Sequence, residues 1–316
     1  PEYDNMSRAD GLNHGLLSLY AWNQTQFDLI WNQTGNAEEM FGEDVSLIDD
    51  MNGDGHDDIV VFQGNWTDGT SNGRLSVFEG ATDGFSWSHN ITANTSGPFY
   101  GRSMSSGGDL NGDGYGDFVV SNSADEDSPT GLSALEVFYG SSTGLSSSSD
   151  KSIQRLNPGT LLGTVVEIVD DINGDGMDEL LVHDLLHSPT LYSGTVHLFM
   201  GNASENFTDV PDWTSTGGLN QRFGWTFASA GDVNDDGYSD TFIGSSLTYA
   251  PSGQINLYLG SENGFILTPE TIRTGGSQEY LGATIAGGFD SNADGLIEFV
   301  YSTRNATRGT TYGIDM

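Results

Sequence analysis

The chain has 316 residues, with 9 basic against 45 acidic side chains and a formal net charge of −36. Phosphate backbones need clustered Lys and Arg, so a chain this acidic, with Lys151 as its single lysine, is no candidate for binding nucleic acid. No apolar run reaches the ~18 residues of a membrane helix, and the absence of cysteine removes disulfides, thiolate metal sites and cysteine nucleophiles.

In chain order, the first predicted elements are an alternating strand around Leu17-Ser-Leu19-Tyr20 and a second strand reaching Trp31. A unit then begins that recurs to the end of the chain. It opens on an apolar-Gly pair: Phe41-Gly42, Tyr100-Gly101, Leu162-Gly163, Phe223-Gly224 and Leu281-Gly282. An acidic nine-residue phrase follows each pair, starting at Asp50, Asp109, Asp171, Asp232 and Asp290, so the starts are 59, 62, 61 and 58 residues apart. A short apolar run comes next (Ile59-Val60-Val61, Phe118-Val119-Val120, Leu180-Leu181-Val182, Thr241-Phe242-Ile243, Phe299-Val300-Tyr301). After a polar loop stands an alternating run such as Leu75-Ser-Val77-Phe78 or Val196-His-Leu198-Phe199, and then a less regular segment that carries Trp87 or Trp213. Period-two alternation, β-branched and aromatic residues, and Gly/Asn/Asp punctuation predict strands, and no window holds a helical period.

Four short strands per unit of about 60 residues predict propeller blades, which bury their two faces only against neighbouring blades. The expected fold is all-β: a β-propeller of about five four-stranded antiparallel blades, forming one domain over residues 1–316, either whole or as part of a longer chain. The chain opens on third and fourth strands and closes on a third strand at 310–316. The N-terminus can supply the tail's fourth strand, which leaves one spare third strand: an extra edge strand on a five-bladed ring, part of a longer chain with more blades, or a strand that pairs with another subunit at an exposed edge.

The phrase itself reads as a metal loop. Ca²⁺ takes six to eight oxygens, and side chains at positions 1, 3 and 5 of a tight acidic loop converge on one centre. Gly at position 6 allows the sharp turn, the position 7 carbonyl points inward, and a carboxylate at position 9 offers two oxygens. The five sets are Asp50, Asn52, Asp54, His56 and Asp58; Asp109, Asn111, Asp113, Tyr115 and Asp117; Asp171, Asn173, Asp175, Met177 and Glu179; Asp232, Asn234, Asp236, Tyr238 and Asp240; and Asp290, Asn292, Asp294, Leu296 and Glu298. Position 7 varies freely, as expected if only its carbonyl is used. An EF-hand would need Glu at position 12 between helices, whereas position 12 here is Val61, Val120, Val182, Ile243 or Tyr301 inside a strand. About five Ca²⁺ ions would bring the formal charge to about −26, so an acidic surface remains.

The Phe-Gly pair, the Asp-x-Asn-x-Asp-Gly-x-x-Asp loop and the alternating strand that follows resemble FG-GAP repeats, as in the propeller head of integrin α subunits. The resemblance runs from Gly15 to about Gly313 and implies a calcium-stabilised propeller for extracellular adhesion or ligand binding. The chain departs from integrin heads in its missing cysteines and its five units, and is more similar to a prokaryotic surface relative. No integrin ligand residue is carried over.

Nine Asn-x-Ser/Thr sequons (Asn5, Asn23, Asn32, Asn65, Asn90, Asn94, Asn202, Asn206 and Asn305) also point to an exported, glycosylated protein at the cell surface. No signal peptide precedes Pro1 and no initiating Met opens the chain, which suggests a processed or trimmed product. Two enzymatic motifs dissolve on inspection. His183-Asp-Leu-Leu-His187 has Asp where a zinc protease needs Glu, and no helix presents its histidines. Gly140-Ser-Ser142-Thr-Gly144 matches a nucleophile elbow but repeats as Gly80 to Gly84 and Gly260 to Gly264, which makes it a blade turn. The leading expectation is a non-enzymatic propeller that binds a protein or carbohydrate ligand through the loops 63–72, 122–130, 184–193 and 245–252 and those joining fourth to first strands, with Trp66, Tyr192 and Tyr249 as contacts. A self-assembling surface-layer or filament subunit is the second reading, and a calcium-dependent polysaccharide lyase the third.

Overall fold

The computed structural model describes residues 14–68, 72–92, 99–123, 134–154, 160–186, 193–204, 209–245, 252–276, 279–291, 296–305 and 309–315. Strands β1 (Leu16–Trp22) and β2 (Phe27–Thr34) form a two-stranded sheet. The second sheet is β3 (Phe41–Ile48), β4 (Asp58–Thr67), β5 (Asn72–Ala81) and β6 (Gly84–Thr92). The third is β7 (Phe99–Gly108), β8 (Asp117–Ser123), β9 (Ala134–Phe138) and β10 (Lys151–Gln154), and the fourth β11 (Thr160–Val169), β12 (Glu179–Leu186), β13 (Thr195–Phe199) and β14 (Trp213–Thr216). The fifth is β15 (Phe223–Gly231), β16 (Asp240–Ser245), β17 (Gln254–Tyr258) and β18 (Glu270–Thr274), followed by a three-stranded sheet of β19 (Thr284–Phe289), β20 (Glu298–Asn305) and β21 (Gly309–Asp315).

Every sheet is an antiparallel meander in sequence order. An all-β chain of this kind, with one meander per repeat, fits a β-propeller. Among the described residues β21 pairs only with β20, and the first sheet stands apart, so no N-terminal strand completes the last sheet. The acidic phrases occupy the turns between β3 and β4, β7 and β8, β11 and β12, β15 and β16, and β19 and β20.

The core consists of the seams between consecutive sheets. Val60 and Val77 point into the seam with the third sheet, where Tyr100, Phe118 and Phe138 meet them, while their chain neighbours Ile59, Val61 and Phe78 face Leu17 and Trp31 of the first sheet. Phe118 and Val120 face backward in the same way, while Val119 and Val137 face Leu162, Val166 and Val182. Burial on both faces explains why the second strand of each unit is a continuous apolar run, while the outer strands are not.

The glycine of each apolar-Gly pair has a backbone reason. Gly42, Gly101, Gly163, Gly224 and Gly282 all hold φ between +77° and +88°, and in the first four sheets concerned the pairing register shifts just after this residue. A side chain there would be strained by the left-handed conformation. At Gly101 a Cβ would also come within 2.4 Å of the Phe62 ring of the preceding sheet.

On β11, burial pushes the Glu167 carboxyl up to about 7. The folded chain therefore holds a proton that the unfolded chain releases between roughly pH 4.5 and 7, and stability from this group falls as pH rises through that window. Glu167→Gln should accordingly raise the melting temperature at pH 8, by on the order of 1–3 kcal/mol of stability, and change little at pH 4.5. An equal effect at both pH values would contradict this assignment.

Candidate metal centre

The four fully described loops share one local geometry, built from Asx turns. The position 1 carboxylate sits inside the curl and accepts backbone N–H groups from positions 4 to 6. Asp109 accepts Gly112 at 2.6 Å, Asp113 at 3.1 Å and Gly114 at 2.7 Å, and Asp50 and Asp171 have the same three partners in their loops. Asp232 accepts Asp236 and Gly237 at 3.0 and 2.7 Å. The position 3 oxygens of Asn52, Asn111, Asn173 and Asn234 accept the position 5 N–H at 2.8–3.1 Å. In turn Asp54, Asp113, Asp175 and Asp236 accept the N–H of His56, Tyr115, Met177 and Tyr238. The result is a ring of side-chain oxygens on a short, tightly wound backbone. Gly55, Gly114, Gly176 and Gly237 turn it at φ between +86° and +91°.

Position 9 does a second job that the sequence reading did not anticipate. Asp117 is fully buried, and its two oxygens accept the N–H of Leu110 at 2.7 Å and of Gly140 at 2.8 Å, tying the loop to the β9–β10 turn. Asp58 and Asp240 make the equivalent bonds, to Met51 and Gly80 and to Val233 and Gly260. The longer Glu179 differs: Oε2 accepts Ile172 N–H at 2.6 Å, while the buried Oε1 has no hydrogen-bond partner. In the last loop Glu298 accepts the Ser291 N–H and hydroxyl. Asp290 and Leu296 are described there too, whereas Asn292 and Asp294 lie outside the described residues.

These carboxylates crowd one another. Burial and the charges of Asp109 and Asp113 push the Asp117 carboxyl up to about 8, and burial with Asp171, Asp175 and Asp178 pushes Glu179 up to about 9. Asp58 and Asp240 are raised for the same two reasons. Ligand oxygens of Asp171, Asp175 and Glu179 all lie within 4.8 Å of one another. An all-oxygen set of three carboxylates and a carboxamide, with one buried oxygen lacking a partner, fits a hard divalent cation, whose charge would relieve this repulsion.

The position 7 side chains, which the sequence pattern leaves without a role, pack between successive loops. The side chains of Tyr115, Met177 and Tyr238 lie against the position 4 glycine of the preceding loop: a Cβ on Gly53, Gly112 or Gly174 would come within 2.7, 2.9 and 3.0 Å of them. Backbone bonds flank this contact. The N–H groups of Gly116, Asp178 and Ser239 donate to the carbonyls of Asp50, Asp109 and Asp171, and those of Ser141, Asn202 and Ser261 donate to Met51, Leu110 and Ile172.

The other sequence candidates are dispersed. Gly140 to Gly144 is a turn closed by Gly144 N–H on the Ser141 carbonyl, as expected. His183 is buried on β12, and His187 lies outside the described residues. Residues 63–67 belong to β4 rather than to a loop, and Arg74 lies over the Trp66 ring at 5.0 Å, so Trp66 packs locally. Tyr192, Tyr249 and most of 122–130, 184–193 and 245–252 lie outside the described residues. Of the sequon residues, Asn23, Asn32 and Asn65 are exposed, and Asn90 and Asn202 are half-buried. Asn5, Asn94 and Asn206 lie outside the described residues, and Asn305 closes β20.

Residues 50–120 and 171–243, each spanning two acidic phrases, match the model of the FG-GAP-like repeat. The chain carries FG-GAP repeats and resembles integrin α subunits. It is 30% identical over 116 residues to integrin alpha-3 of Cricetulus griseus, covering 36% of this chain and 11% of that protein. Integrin alpha-PS3 of Drosophila melanogaster is 28% identical over 148 residues (44% and 13%), and integrin alpha-8 of Mus musculus 33% over 131 residues (39% and 12%). The matched part of the FG-GAP chain thus spans about an eighth of the length of these relatives. Among solved structures, a mutant of AofleA from Arthrobotrys oligospora covers 96% of this chain and 77% of its own, with a TM-score of 0.48 and 8% identity. The Bacillus licheniformis rhamnogalacturonan lyase covers 96% and 58% (TM-score 0.47, 14% identity), and the rhamnogalacturonan lyase YesW 83% and 58% (0.41, 12%). Two of these three are lyases, which corrects the expectation of a chain without enzymatic activity; at such scores the likeness assigns this chain no substrate.

The double role of position 9 is open to test in chelator-treated protein. Asp117→Ala strands two buried N–H groups at ~1–3 kcal/mol each, so urea unfolding should show a loss of roughly 2–5 kcal/mol. The exposed Asp113→Ala should cost little under the same conditions. Equal losses would show that Asp117 holds no more of the fold than a loop ligand does.

Proposed function

We propose that the chain is one calcium-stabilised FG-GAP propeller domain that works outside the cell in adhesion or ligand binding. The observation that carries this reading is the recurrence of one acidic loop in one place, the turn between the first two strands of five successive sheets. In this reading the sheets from β3 to β18 are four complete blades, and β19–β21 are the described strands of a fifth. Each loop holds one Ca²⁺ through positions 1, 3, 5 and 9 and the position 7 carbonyl. The ion supplies the positive charge that lets buried and half-buried carboxylates share one turn.

The extracellular setting is supported by the kinship with integrin α subunits, by the exposed sequons and by the suitability of such loops for the ~10⁻⁴–10⁻³ M calcium affinities of extracellular modules. No helix among the described residues is long and apolar enough to cross a membrane. The partner is a protein or carbohydrate ligand at the cell surface.

EDTA should lower the melting temperature, speed proteolysis and, by elemental analysis, release about five ions; Asp113→Ala should release one fewer. Attachment of the chain to immobilised matrix proteins and polysaccharides should be lost in EDTA and return with Ca²⁺. A chain whose melting and proteolysis ignore EDTA is not held together by calcium.

A further inference from the structure

The contact between successive loops runs in one direction and repeats at three joints. In each, the position 7 side chain of one loop covers the position 4 glycine of the loop before it. That glycine is itself an anchor of the preceding site. Gly53, Gly112 and Gly174 hold φ of +77°, +73° and +75°, and each donates its N–H to the position 1 carboxylate at 2.6 Å. A ring or thioether laid against this turn holds the curl in the shape that gathers the position 1, 3 and 5 oxygens. The adjacent position 8 N–H, bonded to the position 1 carbonyl, fixes the same turn from its other side.

The fourth joint supplies a natural contrast. Position 4 there is Asp235, a non-glycine residue at φ +58°, and the position 7 residue of the next loop, Leu296, is 67% exposed, whereas Tyr115, Met177 and Tyr238 are all half-buried. The cover forms where the preceding loop offers a glycine face.

We infer that Tyr115, Met177 and Tyr238 are positioning residues for the cation of the loop preceding their own, so that ion affinity at one loop is set partly by a side chain of the next. This rests on the calcium reading above. It predicts a displaced effect: truncating a position 7 side chain should leave its own site intact, since that site uses only the carbonyl, and weaken the site about 60 residues earlier.

The test is Ca²⁺ binding to the whole 316-residue chain by equilibrium dialysis, with folding monitored by circular dichroism. Tyr115→Ala should make one ion at least ~5-fold weaker, the low end of typical coupling between sites, and Tyr115→Phe, which keeps the ring, should not. Adding Asp54→Ala to Tyr115→Ala should abolish that weakened ion, whereas adding Asp113→Ala should remove a different, tight one. Met177→Ala offers the same readout one joint along, with Asp113 as the residue that now removes the weakened ion. A weakened ion that disappears with Asp113→Ala in the Tyr115→Ala chain, or unchanged affinities in both truncations, overturns the inference while leaving five calcium loops in place. A wild-type chain that binds no calcium overturns both.

Discussion

The structure turns on burying a carboxylate where two strands diverge. Position 9 is the first residue of the second strand, and in three copies its two oxygens hold the N–H of position 2 and the N–H of a glycine at the end of the neighbouring third strand. Removing a carboxylate from water is costly unless its oxygens are satisfied. Here two backbone donors satisfy it in part and the neighbouring acids oppose it, which leaves a residual repulsion at the place where the loop leaves the sheet. A cation bound at positions 1, 3 and 5 meets that repulsion directly. In the proposed calcium reading, fold stability and ion binding are two aspects of one electrostatic arrangement, and the apolar-Gly pair and the seams between sheets supply the frame around it.

Much of this was legible in the sequence because it is local. Alternation in Leu75-Ser-Val77-Phe78 and the unbroken run Ile59-Val60-Val61 correspond to third and second strands, and the second is apolar throughout because both its faces lie in seams. The spacing of Asp, Asn and Asp around Gly gives the curled loop, since each Asx side chain reaches a backbone N–H two to five residues on. What was not legible is relational. That Tyr115 covers Gly53 depends on how two sheets sit side by side, and residues 62 positions apart carry no mark of it. The extension of β4 through Thr67 was missed because Gly64, Asn65 and Thr67 read as loop residues, whereas the strand continues on its pairing with β5.

Family likeness speaks to the repeat and its loop, which are the parts that packing dictates. The loops that would choose a partner follow no repeat, and they differ in length and composition from sheet to sheet.

The joints between loops have a consequence for how such chains change over evolutionary time. Gly116, Asp178 and Ser239 each give an amide group to a neighbouring carbonyl, so much of the docking is main-chain, although the Asp178 carboxylate also accepts the Asp109 N–H and Gly116 leaves no room for a Cβ. A duplicated or deleted unit therefore meets much of the same main-chain template at either border, which eases lengthening or shortening of the array by unequal recombination.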